Sequence, residues 1–313
     1  MISSIFGKTK PINFIILFSY LFVFYWLTHL LLYKKSFEID GIFAQVAVII
    51  ALFSSIFIVD FIVKRNKITG LNSFTILFYV LLITLFPEVL LDFNGIMCSF
   101  FLLLSARRLL SLISLRNSKL KIFDATIWII VASFFYEWAS LFLILVFTAI
   151  YFYEPKNIRN WLVPIVGVIT SFTILTGFLV LSDNMEFLTS HYTFSFELNT
   201  VFFLNWGNST RFIIFVLFAV FMGMFAFLKL GKAGVGRIIT MRLISLFFLI
   251  GMLFTMLQST SSFFPLIVTF FPVGIFFANY VDTIKRTNIK EVVLMLSIFA
   301  PLMVFVTNLI LNK

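Results

Sequence analysis

Long apolar runs separated by short polar segments dominate this chain. A run of roughly 20 apolar residues is long enough to cross the hydrocarbon core of a bilayer as a helix. Several of the runs are shorter than that, and we expect the fourth to sixth to include partial or re-entrant helices. The pattern predicts about eleven spans, near Phe14–Tyr33, Phe43–Val63, Phe74–Pro87, Phe93–Leu104, Ala125–Tyr136, Ala139–Tyr153, Trp161–Ser182, Phe212–Leu228, Leu243–Leu257, Phe263–Tyr280 and Val292–Ile310.

Composition supports the same interpretation. The 313 residues are 62% hydrophobic and only 12% charged, with 46 Phe, and the mean hydropathy is +1.12. Soluble domains are about 45–50% apolar and about 25% charged. A soluble fold of this size could not bury so much apolar surface, whereas lipid removes the penalty for exposing it. We therefore predict an all-α, polytopic transmembrane helical bundle that forms a single integral membrane domain over residues 1–313.

The basic residues set the expected orientation and decide whether the chain has eleven spans or ten. The segment Ile127–Tyr153 is either a hairpin turning near Glu137–Trp138 or one long helix. The hairpin places 19 of the 23 Lys and Arg on the side of the N-terminus, whereas the single helix divides them 12 against 11. Basic residues favour the cytoplasmic side, so we predict a hairpin, a cytoplasmic N-terminus and a bacterial inner-membrane location. The net charge of +10 is spread over helix ends, which is typical of topology signals and not of a nucleic-acid surface.

Acidic residues outnumber basic ones on the expected outer side, which makes that side the first place to look for chemistry. Glu38 and Asp40 lie in the first outer loop, where a carboxylate can serve as a general base or hold a divalent cation. Glu88 and Asp92 are four residues apart and would share a face of a helix, an arrangement that suits a bound cation or water. The alternative is that all four are hydrated acids in loops or at helix ends.

Two other residues on the expected outer side have more than one interpretation. Arg211 begins a later span and suits the phosphate of a lipid, or it is an arginine that extends from a helix end to water. Glu137 lies between Tyr136 and Trp138, where the hairpin predicts a hydrated acid within an interfacial aromatic belt. The alternative is an acid at membrane depth, where its charge is costly and needs a partner. No metal site is predicted, because neither histidine has a second ligand at metal spacing. The single cysteine, Cys98, is expected to be buried.

On the expected cytoplasmic side, two features point to the membrane surface. Asp60 and Lys64 are spaced to pair across one helical turn. Arg107 and Arg108 end the fourth span and precede the apolar residues of Leu109–Leu115, which could form an interfacial amphipathic segment.

Two segments carry a resemblance to a known family. The opening Ser4-Ile5-Phe6 with Lys10-Pro11-Ile12-Asn13-Phe14, and the stretch from Phe123-Asp124-Ala125 to Ala132-Ser133-Phe134-Phe135-Tyr136, resemble an uncharacterised family of polytopic inner-membrane proteins of Bacteroidota. The resemblance implies a location and carries no established activity or catalytic residue.

A second resemblance is architectural. Outer-loop acids at Glu38 and Asp40, a second acid at Glu88 or Asp92 and short paired middle helices resemble polyprenyl-dependent glycosyltransferases of the GT-C class. The chain departs from that class because it lacks a soluble outer domain and has few polar residues for sugar binding. The resemblance implies transfer of a sugar from a polyprenyl-phosphate carrier at the outer face. Our leading hypothesis is such an enzyme, with Glu38 or Asp40 as the base, Glu88 and Asp92 assisting or holding a cation, and Arg211 meeting the phosphate. The alternatives are a non-enzymatic subunit that scaffolds an envelope protein complex and, third, a transporter.

Overall fold

The computed structural model describes residues 2–34, 41–194, 206–228, 234–258 and 265–311. Within these ranges the chain is helical and has no β-strand, which confirms the all-α prediction. Short π-helical or 3-10 segments occupy Thr28–Leu32, Pro87–Leu91, Ser111–Ser114 and Glu137–Phe142. The α-helices are α1 (Ile2–Phe6), α2 (Pro11–Leu27), α3 (Ile42–Arg65), α4 (Phe74–Leu85), α5 (Phe93–Leu110), α6 (Ser118–Ser133), α7 (Leu143–Tyr153), α8 (Ile158–Leu181), α9 (Glu186–His191), α10 (Trp206–Leu228), α11 (Val235–Leu257), α12 (Ile267–Thr283) and α13 (Thr287–Leu311).

Seven helices in the described part of the chain are long and apolar enough to cross a membrane. The apolar helices α4 and α12 and the segment Glu137–Tyr153 are shorter. The prediction of partial helices is wrong for the fourth run, because α5 continues past Leu104 through Arg107 and Arg108. Its polar Ser105 is buried against other helices, so a polar position there does not end the helix. The seven qualifying stretches are Pro11–Leu32, Ile42–Arg65, Phe93–Ser114, Ile158–Leu181, Ser209–Leu228, Val235–Leu257 and Thr287–Ile310.

The segment Ile127–Tyr153 is a helical hairpin and not one long helix. Tyr136 is extended (φ −145°, ψ 116°) and breaks the helix before the 3-10 turn Glu137–Phe142. At the other end of the hairpin, the Ser118 hydroxyl donates to Glu154 Oε1 at 2.6 Å. The start of α6 therefore lies beside the end of α7, as the distribution of basic residues predicted.

The loop between α3 and α4 contacts the ends of two other helices and marks one end of the bundle. At the end that we call the basic end, Gly70 N donates to Asp282 Oδ2 at 2.9 Å and Arg237 Nη2 donates to the Ile68 carbonyl at 2.8 Å. Helix α5 runs from there to the opposite end, which we call the acidic end because it carries Glu88 and Asp92. With 18 residues, α5 separates the two ends by about 27 Å.

Helices α4 and α12 form the centre of the bundle. Eleven of the twelve residues of α4 are buried. The two helices approach closely at Gly274, where an added Cβ would lie 3.3 Å from the Thr75 carbonyl oxygen. Phe78 stacks obliquely on Phe277 with ring centroids 5.3 Å apart. The peripheral helix α8, by contrast, exposes large apolar side chains such as Ile174 and Phe178. Exposing such side chains to water costs free energy, whereas exposing them to lipid does not.

Candidate functional site

The fold brings together two of the predicted site residues that are far apart in sequence. Arg211, near the start of α10, places Nη1 3.4 Å from Oε1 of Glu88, which lies in the 3-10 turn between α4 and α5. Both side chains are partly exposed, at 31% and 27%, so the pair lies near the surface of the acidic end. Burial raises the pKa of Glu88, and the charge of Arg211 opposes that shift.

Glu88 and Asp92 do not share a helical face, and that expectation is wrong. Pro87 starts a 3-10 turn that ends at Leu91, and Asp92 then adopts an extended backbone (φ −86°, ψ 90°) as the N-cap of α5. The two carboxylates therefore belong to different local structures. Residues four apart in sequence share a helical face only where the chain between them is a continuous α-helix.

Asp92 is a buried carboxylate with two hydrogen-bond donors on a single oxygen. Its Oδ1 accepts from Gly95 N at 2.9 Å and from the Tyr136 hydroxyl at 2.8 Å. Its Oδ2 is buried without a hydrogen-bond partner among the described residues. Burial raises the pKa of Asp92, and the hydrogen bonds from Gly95 and Tyr136 oppose that shift. Asp92 therefore ties the start of α5 to the turn that follows α6.

Tyr33 lies near the ion pair of Glu88 and Arg211. Burial raises the pKa of Tyr33 to about 12, with a further increase from the charge of Glu88 and an opposing effect of Arg211. The tyrosine is thus within electrostatic range of both members of the ion pair. Glu38 and Asp40 follow it in sequence, but both lie outside the described residues, so their role stays a prediction.

Glu137 is buried, and the expectation of a hydrated acid at the turn is wrong. Only 7% of the residue is exposed, because the chain after α9 packs over the hairpin. His191 Nε2 donates to the Ser133 carbonyl at 2.8 Å, and Trp138 contacts Phe194 edge to face at 5.2 Å. Burial raises the pKa of Tyr192, and the nearby charge of Glu137 raises it further. The segment around Tyr192 excludes water from the turn. It is distant in sequence, so the residues next to Glu137 could not have predicted this contact.

No group of three His, Cys, Asp or Glu side chains in the described residues is placed to hold a metal ion. Cys98 is buried and unpaired, as expected. The predicted divalent cation at Glu88 and Asp92 would have to draw ligands from elsewhere, because Arg211 and the cap of α5 engage these two carboxylates.

Sequence reasoning missed the role of Tyr136 and the cap formed by Asp92. A signal for the cap was present, since Asp is a preferred N-cap residue and Asp92 directly precedes an apolar run. Nothing local could have predicted that the hydroxyl of Tyr136 reaches Asp92. The partnership depends on α6 packing against α5, which is a tertiary feature.

Comparison with known proteins leaves the family open. No protein-family model matches the chain, and no curated protein or solved structure matches it.

Proposed function

We propose that the protein is an integral membrane enzyme that transfers a sugar from a polyprenyl-phosphate carrier at the acidic end of the bundle. The observation that carries the proposal is the meeting of Arg211 and Glu88 near Tyr33, which precedes Glu38 and Asp40 in the sequence. A cation and several carboxylates at one end of a membrane bundle suit a phosphate leaving group and a hydroxyl acceptor.

The proposed reaction has defined roles for these groups. The lipid phosphate exchanges with Glu88 at Arg211, because two phosphate oxygens can accept paired N–H bonds from a guanidinium and the phosphate gains a second negative charge as the sugar leaves it. Glu38 or Asp40 accepts the proton of the acceptor hydroxyl. The acceptor oxygen then bonds to the anomeric carbon of the sugar while the bond from that carbon to the phosphate oxygen breaks. The polyprenyl phosphate departs with the electron pair.

The proposal includes an orientation, with the N-terminus and basic end in the cytoplasm and eleven crossings of the bacterial inner membrane. Support comes from the charge asymmetry and from the hairpin formed by α6 and α7. We expect a cysteine at Asn184 to react with a membrane-impermeant maleimide in spheroplasts, and one at Lys156 to react only after permeabilisation. Buried Cys98 supplies little background. Reaction of Lys156→Cys before permeabilisation, with Asn184→Cys protected, would reverse the orientation.

Lipid binding provides the first test. The full chain is extracted in mild detergent and titrated with polyprenyl phosphate, and bound lipid is counted by native mass spectrometry. We expect one lipid per chain and about fivefold weaker binding for Arg211→Gln, the effect of about one lost charge contact. The control pair Asp183→Asn and Glu186→Gln removes exposed acids of the same end and should not weaken binding. Equal binding by wild type and Arg211→Gln would contradict the role of Arg211.

Turnover provides the second test. Polyprenyl-phosphate glucose is incubated with the purified protein and an alcohol acceptor, and release of polyprenyl phosphate is followed by mass spectrometry. We expect the double substitution Glu38→Gln, Asp40→Asn to bind the lipid normally and to lower release at least tenfold. If the wild-type protein binds the lipid but releases no polyprenyl phosphate, the proposal of lipid binding stands and the proposal of sugar transfer is wrong.

A scaffold without catalytic activity is the second candidate. Its support is that Asp92 and Glu88 already have structural partners and that helices such as α8 present a broad apolar face. It predicts a stoichiometric protein partner after gentle extraction, with only bulk phospholipid besides.

A further inference from the structure

The ends of α3, α5 and α6 enclose a recess of about 1150 Å³ at the basic end of the bundle. Lys64 and Arg65 enter it from α3, Arg107 and Arg108 from α5, and Lys121 from α6. We call it the basic recess. It lies at the opposite end of α5 from Asp92, so it is separate from the proposed site of sugar transfer.

Three of the five cations have no ion-pair partner among the described residues. Lys64 pairs with Asp60, as the spacing predicted, and Arg108 Nη2 lies 3.0 Å from Asp124 Oδ2. Arg65, Arg107 and Lys121 take part in no ion pair in that part of the structure. The basic recess therefore holds an excess of about three positive charges, which favours a ligand with more than one negative charge.

The unpaired cations are held in place by contacts with neutral groups. The Arg107 guanidinium lies 4.4 Å from the centroid of the Phe61 ring. Lys121 Nζ donates to the Ser111 carbonyl at 2.7 Å and to Ser114 Oγ at 2.6 Å. Burial lowers the pKa of Lys121, and the charges of Arg65 and Arg108 lower it further. These contacts hold the cations in place but do not neutralise them. The cations therefore still repel one another, and a bound anion would relieve that repulsion.

The wall of the basic recess is apolar on the side of α3. Phe57 and Phe61 line it, and about half of each residue is exposed, at 53% and 42%. They belong to a helix that is long and apolar enough to cross a membrane. A ligand that fills the recess thus meets cations at one end and aromatic surface along α3, which is the polarity of a phospholipid.

We infer that the basic recess binds the headgroup of a phospholipid that carries two negative phosphates, with its acyl chains along Phe57 and Phe61. The three unpaired cations match two phosphates better than one. Phosphate groups are the anions that arginine recognises with paired N–H donors. The site requires no sugar transfer and does not rest on the proposed function.

Native mass spectrometry of the full chain in neutral detergent tests this inference. We expect cardiolipin, which has two phosphates, to bind one to one and more tightly than phosphatidylglycerol, with phosphatidylcholine weakest. Arg65→Gln with Arg107→Gln should weaken cardiolipin binding about 25-fold, from about fivefold for each cation. The matched control is Arg116→Gln with Lys156→Gln, which removes two exposed cations of the same end outside the recess and should leave binding within about twofold.

Three outcomes would overturn the inference. Equal losses in the recess variant and the control would indicate a general basic surface. Equal binding of cardiolipin and phosphatidylcholine would remove the role of charge. Inorganic pyrophosphate is the competitor in a further arm; if it binds the wild-type protein as tightly as cardiolipin does, the ligand is a soluble phosphate and not a lipid. An unchanged Tm of the recess variant shows that any lost binding is not lost folding.

Discussion

Replacement of Asp92 by alanine is expected to lower the free energy of unfolding by about 2–4 kcal/mol. Alanine removes the N-cap of α5, which is worth about 1 kcal/mol. It also leaves the buried Tyr136 hydroxyl without its acceptor, at about 1–3 kcal/mol. Thermal unfolding of the purified protein in detergent measures the effect as a lower Tm.

Asparagine at position 92 is the matched control. Its amide oxygen can replace Oδ1, which accepts both hydrogen bonds, and its NH₂ group takes the place of Oδ2, which has no hydrogen-bond partner among the described residues. We expect Asp92→Asn to change the free energy of unfolding by less than about 1 kcal/mol. A loss as large as that of Asp92→Ala would mean that the negative charge, and not the cap, stabilises the turn.

The pH dependence has a defined sign. Burial raises the pKa of the Asp92 carboxyl above its ordinary value in the folded state. Stability from such a group is fully present below the unfolded pKa and is lost as the pH rises through the folded pKa. The Tm of Asp92→Asn relative to wild type should therefore increase as the pH rises from about 4. A flat difference across that range would indicate that Asp92 has an ordinary pKa.

Asp92→Asn also separates structure from chemistry at the acidic end. If the carboxylate assists sugar transfer, the asparagine variant should fold normally and lose turnover. If Asp92 only caps α5, the variant should keep both its Tm and its turnover. The two roles make different predictions from one substitution because Oδ1 performs the structural work and Oδ2 faces no described donor.

The sequence predicted the helical elements well because a membrane helix is a continuous apolar segment, and its hydrophobicity depends only on residues that are neighbours in sequence. The positions of most apolar runs, the pairing of Asp60 with Lys64 and the hairpin between α6 and α7 all follow from spacing or charge. The length of α5 was underestimated because the predicted apolar run ends at Leu104, whereas the helix continues to Leu110. A helix can continue through polar and charged residues that follow an apolar run, and a hydropathy pattern does not report that.

The acidic end was predicted less well, because its contacts join distant segments. Arg211 was selected as a cation for phosphate, yet its pairing with Glu88 depends on α10 packing beside the junction of α4 and α5. Glu137 was expected to be hydrated, but the chain around Tyr192 covers it. Local spacing identifies candidate residues, and only tertiary packing decides which of them meet and which are excluded from water.

The centre of the bundle gives the second large prediction. Gly274→Val is expected to lower the free energy of unfolding by about 3 kcal/mol or more, and Gly274→Ala by less. A Cβ at position 274 would lie 3.3 Å from the Thr75 carbonyl oxygen and 3.4 Å from Tyr79 N. These are backbone atoms of α4, which cannot rotate away as a side chain does, so α4 and α12 must separate.

Gly177 supplies the matched control for this contact. It also lies inside a long helix, α8, but an added Cβ there meets nothing within 4 Å. Valine at 177 changes helix propensity by the same amount as valine at 274, so the difference between the two variants isolates the packing term. We expect Gly177→Val to keep the wild-type Tm or raise it slightly, since glycine is a weak helix former. Equal Tm values for the two valine variants would mean that α12 does not contact α4 at Gly274, and the core of the bundle would have to be arranged differently.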